Sequence, residues 1–228
     1  MAQLYPSSFQ FLNLLKDNNN RDWFQANKPV YEAELAHVVA FADKLLEETK
    51  KHDTIETISG KKSLFRIYRD VRFSKEKSPY KTWWSGSFTR ATKQLRGGYY
   101  FHLEQGNSFV AGGFWNPEKE DLLRIRQEIA NYEDEFRNIL KNKIGKLTFE
   151  GDQLKTCPKG FDKEHSAVDL LRYKQFILIQ KFTDEEVLDS DIISKMNIAF
   201  KNMRPFFDFM SLALTTDSNG VPLYGIDL

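Results

Sequence analysis

Gly98-Tyr-Tyr-Phe-His-Leu-Glu-Gln-Gly-Asn-Ser-Phe-Val-Ala-Gly-Gly-Phe114 is the stretch on which the fold class turns. Two aromatic-rich runs, Gly98–Glu104 and Ser108–Phe114, flank the triplet Gln105-Gly106-Asn107. Such runs around a short glycine-centred turn read as a β-hairpin. Gly97-Gly98 and Gly112-Gly113 bracket the hairpin. Neither pair precedes a Lys-Ser/Thr helix start or has the dinucleotide-binding spacing, so they predict bulges or close backbone approach.

Upstream of the hairpin, Trp83–Ala91 and Leu64–Phe73 read as further strands. Before them the pattern is helical. Ser7 with Gln10 matches a capping box for a helix over Phe9–Lys16, and the Asn18-Asn19-Asn20 run ends it. A long helix is expected over Lys28–Lys50, with Asn27 as cap, Pro29 in its first turn, and Tyr31, Leu35, Val38, Ala42 and Leu45 as its buried stripe. Trp23 and Phe24 are expected to pin the helix junction.

Downstream, Asn116-Pro117 opens a helix predicted to run to about Lys143, with Leu122, Ile125, Ile129, Tyr132, Phe136 and Ile139 on one face. A short strand over Leu147–Glu150, a short helix over Ala167–Tyr173 and an apolar strand over Phe176–Phe182 follow. Thr183 with Glu186 forms a second capping box. Helical periodicity then continues to Leu214, with a kink at Pro205. No repeat or low-complexity linker interrupts the 228 residues, which predicts one domain over 1–228. Helices, a strand meander, then helices with returning strands give an α+β fold: a mostly antiparallel sheet of about five or six strands packed against long helices.

Composition narrows the function. The 33 basic and 32 acidic residues nearly cancel, which argues against a surface that coats nucleic acid or anionic membrane throughout. The single cysteine, Cys157, permits no internal disulfide and suits a reducing compartment. Met1–Phe11 lacks the pattern of a signal peptide, and Ile192–Leu214 is too interrupted by charge to span a membrane. A cytoplasmic location with no membrane association is expected.

Against that neutral background, Arg66-Ile-Tyr-Arg-Asp-Val-Arg-Phe-Ser-Lys-Glu-Lys-Ser-Pro-Tyr-Lys81 is strongly basic, and Lys61 and Lys62 precede it. If Leu64–Phe73 is extended, Arg69 shares a face with Phe65, Ile67, Val71 and Phe73. A guanidinium there needs a carboxylate, backbone carbonyls or a bound anion, unless a bulge near Asp70 turns it outward. Arginine forks fit phosphate and carboxylate groups. The leading expectation is therefore a pocket for an anionic ligand, built on Arg66, Arg69, Arg72, Lys77, Tyr80 and Lys81. The plainer reading of the same residues is a set of internal salt bridges and a turn. The expected ligand is a small phosphorylated or carboxylated molecule. Nucleic acid, with Tyr80, Trp83 and Trp84 as stacking surfaces, is less favoured because of the balanced total charge.

A second expectation is an enzyme acting on a phosphorylated or acyl substrate, with Asp70 and His102 as acid–base groups. It requires the two to meet. His102 shares a strand face with Tyr100 and Glu104, but two ligands do not define a metal site, so no metal or cofactor is predicted. Cys157, beside Pro158 and Lys159, reads as a loop cysteine without an identifiable base. A third expectation is a protein-interaction module, which requires Trp83, Trp84 and Trp115 to form one exposed patch. The sequence leaves the oligomeric state open.

Asn18-Asn19-x-Arg21-x-Trp23-Phe24 together with the Arg66–Lys81 block resembles the domain of unknown function 2461 family. Gly97-Gly-Tyr-Tyr-Phe-His102, Leu123-Arg-Ile-Arg126, Pro158-Lys-Gly160 and Asp169-Leu-Leu-Arg172 resemble later blocks of it. Glu76 stands where that family usually has Asp, and Ser166 where Pro is common. The resemblance implies a single-domain protein and carries no activity, cofactor or catalytic residue with it.

Overall fold

The computed structural model describes residues 3–141, 146–217 and 221–223. Proline, not the predicted Ser7 box, starts the chain's first helix. α1 spans Pro6–Asp17 with Pro6 in its first turn and no side-chain cap. Proline loses nothing there because the first N–H groups of a helix have no partner anyway. Ser8 instead donates to the buried carboxylate of Glu34 at 2.6 Å. α2 (Arg21–Ala26) is capped by Asn20, whose side chain accepts from the Trp23 N–H. α3 (Lys28–Lys50) has the predicted bounds, but Asn27 does not cap it and donates its amide to the Trp23 carbonyl instead. Its buried face is Val38, Phe41, Ala42, Leu45 and Leu46, with Tyr31 and Leu35 half-buried at its start. α4 (Gly60–Ser63) follows.

The sheet comprises β1 (Trp84–Thr89), β2 (Gly98–Leu103), β3 (Ser108–Phe114), β4 (Thr148–Glu150) and β5 (Phe176–Phe182). It is antiparallel, in the order β1-β2-β3-β5-β4, and the fold is α+β. Thr148 lies opposite Ile179 and Glu150 opposite Ile177. Gly106, at φ +74°, makes the predicted hairpin turn. Gly113 (φ +145°) lies so close to the Phe176 carbonyl oxygen that any Cβ would overlap it.

The helix predicted from Asn116 to Lys143 is two helices, α5 (Lys119–Asn131) and α6 (Glu133–Lys141); Lys143 itself lies outside the described residues. The break leaves Tyr132 exposed although periodicity placed it on the buried stripe. α7 (Val168–Leu171) is shorter than expected. The final helical stretch is three helices, α8 (Asp184–Leu188), α9 (Ile192–Asn202) and α10 (Arg204–Thr215). α8 has the predicted Thr183–Glu186 capping box, and Pro205 sits in the first turn of α10, where it starts a helix and does not kink one. No helix among the described residues is long and apolar enough to cross a membrane.

The chain forms two compact units. The first holds the residues up to Phe88 with Tyr100–Val110 and Lys181–Ile198. Its core stacks Phe41 and Phe88 around Phe101. The second holds Thr89–Tyr99, Ala111–Gln180 and the residues from Ala199 on. There Tyr99 packs against Phe200 and Phe207, and Phe136 against Phe209. Arg90 is fully buried in this second unit. Its guanidinium donates to the Arg96 carbonyl (3.1 Å), the Ser211 hydroxyl (3.3 Å) and Asp208 (3.1 Å), and lies over the Phe207 ring.

Candidate functional site

The strand predicted over Leu64–Phe73 is not formed. Only isolated bridges survive, Leu64 with Gly86 and Tyr68 with Tyr80. A narrow ladder closes an excursion of the chain: the Arg69 N–H donates to the Pro79 carbonyl and the Lys81 N–H to the Ile67 carbonyl. Beyond Arg69 the chain leaves the ladder for a local reason. The Asp70 carboxylate accepts from the Arg72 N–H at 3.2 Å, and Glu76 accepts from the Ser78 N–H at 2.7 Å. Short acidic side chains that bond the backbone two residues on favour turns over strands. Alternation therefore fails here: Ile67 is buried, while Phe65, Tyr68 and Phe73 are exposed.

The base of the excursion is held by aromatic packing and by one side-chain amide. Tyr80 is buried and stacks on Phe24 at 4.1 Å between centroids. Tyr31 stacks on Trp84 at 5.6 Å. Asn19 both donates to the Tyr80 carbonyl (3.0 Å) and accepts from its N–H (3.1 Å). Trp23 and Phe24 join this cluster, as expected of residues pinning the helix junction. The sequence places Asn19 at a helix end and in a motif of the resembled family, without indicating its partner. Its partner is 61 residues away, so no local signal marks it.

The six predicted ligand residues separate into groups. Arg69 pairs with Glu76, the first of the three kinds of partner considered for it, although the strand on which that reading rested is absent. Arg72 forms a forked pair with Asp70, whose carboxyl this bond holds below its ordinary value. Lys77 donates to the Val71 carbonyl at 3.0 Å. Tyr80 is buried, so neither it nor the buried Trp84 presents a stacking face. Arg66 and Lys81 do come together. Lys81 donates its ammonium to the Arg66 carbonyl at 2.7 Å and lies 5.5 Å from the centre of the Phe65 ring. Burial, then the like charge of Arg66, push the Lys81 ammonium below its ordinary value. Arg66 is exposed, and its guanidinium has no hydrogen-bond or ion-pair partner among the described residues.

His102 lies on the neighbouring part of the same unit. Its Nδ1 is 2.9 Å from the Tyr100 hydroxyl and its Nε2 is 3.1 Å from Glu104. A carboxylate only accepts, so Nε2 carries the proton and Nδ1 accepts from Tyr100. Trp83 and Phe109 stack on the imidazole at 5.5 and 4.8 Å. Burial holds His102 below the ordinary histidine value, with Glu104 opposing, and burial raises Tyr100, which Ser85 also hydrogen-bonds. Both His102 nitrogens are thus engaged by other groups, and the Asp70 carboxylate is engaged by Arg72. The hydrogen-bonded meeting of Asp70 and His102 does not occur. Phe65 links the two regions, its ring 6.2 Å from that of Tyr100.

No cluster of three or more metal-ligating side chains occurs among the described residues. Cys157 lies 3.6 Å from each of three backbone carbonyls, those of Pro158, Phe161 and Asp162. Three exposed tryptophans in one patch are not formed, because Trp84 is buried and Trp83 is half-buried against His102. A cavity of about 660 Å³ in the second unit, among Arg124, Glu128, Asp162 and His165, contains none of the predicted site residues.

A family model described as a conserved hypothetical protein (DUF2461) matches residues 7–209. No curated protein and no solved structure matches the chain.

Proposed function

The chain belongs to this conserved hypothetical family, whose description carries no activity, and from that premise we propose that the protein binds an anionic, phosphate- or carboxylate-bearing ligand at the Arg66–Lys81 segment. One observation carries the reading: the Lys81 ammonium is anchored on the main-chain carbonyl of Arg66, feels the like charge of that residue, and neither cation has a carboxylate partner among the described residues. Like charges placed together raise the energy of the free protein, and an anion bridging them relieves it. The Lys81 ammonium is oriented by the Arg66 carbonyl, and the Arg66 fork is free to make paired hydrogen bonds. Arg69 and Arg72 have a different role in this reading. Each neutralises a nearby carboxylate and so keeps Asp70 and Glu76 from repelling the ligand.

Thermal unfolding tests the proposal. Inorganic phosphate, nucleoside mono- and diphosphates and di- and tricarboxylates are titrated against the protein and against Arg66→Ala. A ligand at about a hundred times its dissociation constant stabilises the fold by roughly 2.7 kcal/mol. The expected result is a shift for one anion class that Arg66→Ala abolishes without lowering the unliganded Tm. No shift for any of these anions refutes the proposal.

A second reading is supported by the Tyr100–His102–Glu104 chain. An enzyme acting on a phosphorylated or acyl substrate has here a hydroxyl, an imidazole and a carboxylate in series. Asp70 has no part in it. A proton taken by the Tyr100 oxygen would release that residue's own proton to His102 Nδ1, and Glu104 would stabilise the resulting imidazolium. Turnover of p-nitrophenyl phosphate or p-nitrophenyl acetate that falls at least about tenfold in His102→Gln supports this reading. No turnover above buffer removes it.

A further inference from the structure

The near-neutral total charge conceals a strong partition. From Lys61 to Lys81 there are eight basic and two acidic residues, a net of +6 on a chain of +1, so the remainder of the chain sums to −5. Within the segment both acids are already paired, Asp70 with Arg72 and Glu76 with Arg69. Lys77 and Lys81 bond only to carbonyl oxygens, which orient a cation without cancelling its charge. Arg66 and Lys75 have no ion-pair partner among the described residues. The positive potential of this segment is therefore directed at solvent.

Three rings are interleaved with those cations. Phe65 is 50% exposed, Tyr68 59% and Phe73 96%. A phenylalanine left almost wholly in water forgoes the burial that normally places it inside. Two of the rings already have a cation nearby, Lys81 at 5.5 Å from Phe65 and Arg72 at 5.9 Å from Phe73. Such exposure also decides the size of the ligand. A small molecule gains affinity by burying most of its surface in a concavity, and rings this open provide little wall. An extended polyanion bearing planar groups instead collects several modest contacts along its length.

We propose that the exposed side of the Arg66–Lys81 excursion binds single-stranded nucleic acid, with Phe65, Tyr68 and Phe73 stacking on bases and Arg66, Lys75, Lys77 and Lys81 contacting phosphates. The inference rests on the anion-binding reading above and names its ligand class. Bases paired in a duplex are stacked on one another and do not offer their faces to protruding rings, so the site selects single strands. The stacking surfaces are not those first expected from the sequence, because Tyr80 and Trp84 are buried beneath the excursion.

The test is fluorescence anisotropy of the full chain with 5′-fluorescein-labelled dT12 and rU12. Saturable binding is expected at 50 mM salt. Four phosphate contacts give a slope of log K against log salt of about −3. Phe73→Ala, which removes a ring that packs against almost nothing, should weaken oligonucleotide binding about 5-fold or more without lowering the Tm. The triple variant Phe65→Ala/Tyr68→Ala/Phe73→Ala should weaken it further, while inorganic phosphate still raises its Tm. Equal affinity of parent and Phe73→Ala overturns the inference, as does equal affinity for a duplex of the same length. Binding only to phosphatidylserine vesicles also overturns it, in favour of a membrane surface. If no oligonucleotide binds but phosphate still stabilises the parent, this inference fails and the anion reading stands. If neither binds, both fail.

Discussion

Arg90 offers the sharpest test of the energetics, because its guanidinium is fully buried while its carboxylate partner is about half in solvent. Arg90→Ala removes a 3.1 Å bond to the Arg96 carbonyl and a 3.3 Å bond to the Ser211 hydroxyl. Bonds from a charged donor contribute roughly 1.5–3 kcal/mol each, with the longer one near the low end. The Asp208 pair adds no more than about 1 kcal/mol, because the carboxylate regains water when the arginine is gone. The side-chain stem also leaves a void against Phe207. A loss of about 3–5 kcal/mol follows from these contributions together. Three kcal/mol of that corresponds to a Tm lowered by roughly 6–12 °C for a chain of this size. Urea unfolding of Arg90→Ala, Arg90→Met and Asp208→Asn measures the parts. Arg90→Met, which refills the void, should recover about 1–2 kcal/mol of the loss. Arg90→Met at least as stable as the parent, or Asp208→Asn as damaging as Arg90→Ala, would refute the reasoning.

Three further outcomes are expected. His102 is depressed in the folded state, chiefly by burial, so the unfolded chain takes up its proton first. Its contribution to stability is complete above about pH 6.5 and is lost as pH falls through the lower folded value; His102→Gln should flatten that part of a urea-midpoint profile between pH 7.5 and 5. Gly113→Ala should destabilise by about 1–3 kcal/mol from backbone strain, and by more from its overlap with the Phe176 carbonyl, which thermal unfolding would show as a clear drop in Tm. Ser8→Ala leaves the buried Glu34 carboxylate short of a 2.6 Å donor and should cost about 1–3 kcal/mol in denaturant unfolding at pH 7, whereas an unchanged midpoint would mean that water replaces the hydroxyl.

Long-period patterns in the sequence translate directly into structure. α3 and β5 have their expected bounds because a 23-residue amphipathic run satisfies its own backbone as a helix, while a seven-residue apolar run pairs with β3 and β4 on either side and is buried over most of its length. The hairpin was legible for a different reason: Gly106 supplies the positive φ that its turn requires. The errors have local causes. A helical period passes through Tyr132 although the chain breaks there, since α5 and α6 each keep the same spacing on either side. The strand expected at Leu64–Phe73 lost to two short-range competitors, the Asp70 and Glu76 carboxylates bonding the backbone N–H groups two residues on. For the site, the basic segment was readable from composition, whereas the partner of Arg69 was left open between a carboxylate, carbonyls and an anion, on a strand that is not formed. The adjacency of Arg66 and Lys81 was not readable, because the ladder that brings them together spans residues with no strand signal of their own. Arg90 gave no sign of its role, since its two side-chain partners, Ser211 and Asp208, lie more than a hundred positions along the chain.

The Asn19 amide holds the excursion by the backbone of Tyr80, as a neighbouring strand would, and the short ladder at Ile67–Arg69 closes the other side. Everything between Asp70 and Ser78 is therefore tied off at its neck. Lengthening that segment is cheap: doubling it adds only about 0.6 kcal/mol of closure entropy. An insertion at its tip, such as a short epitope or a fluorescent peptide, is a way to label this surface while the neck beneath keeps its register.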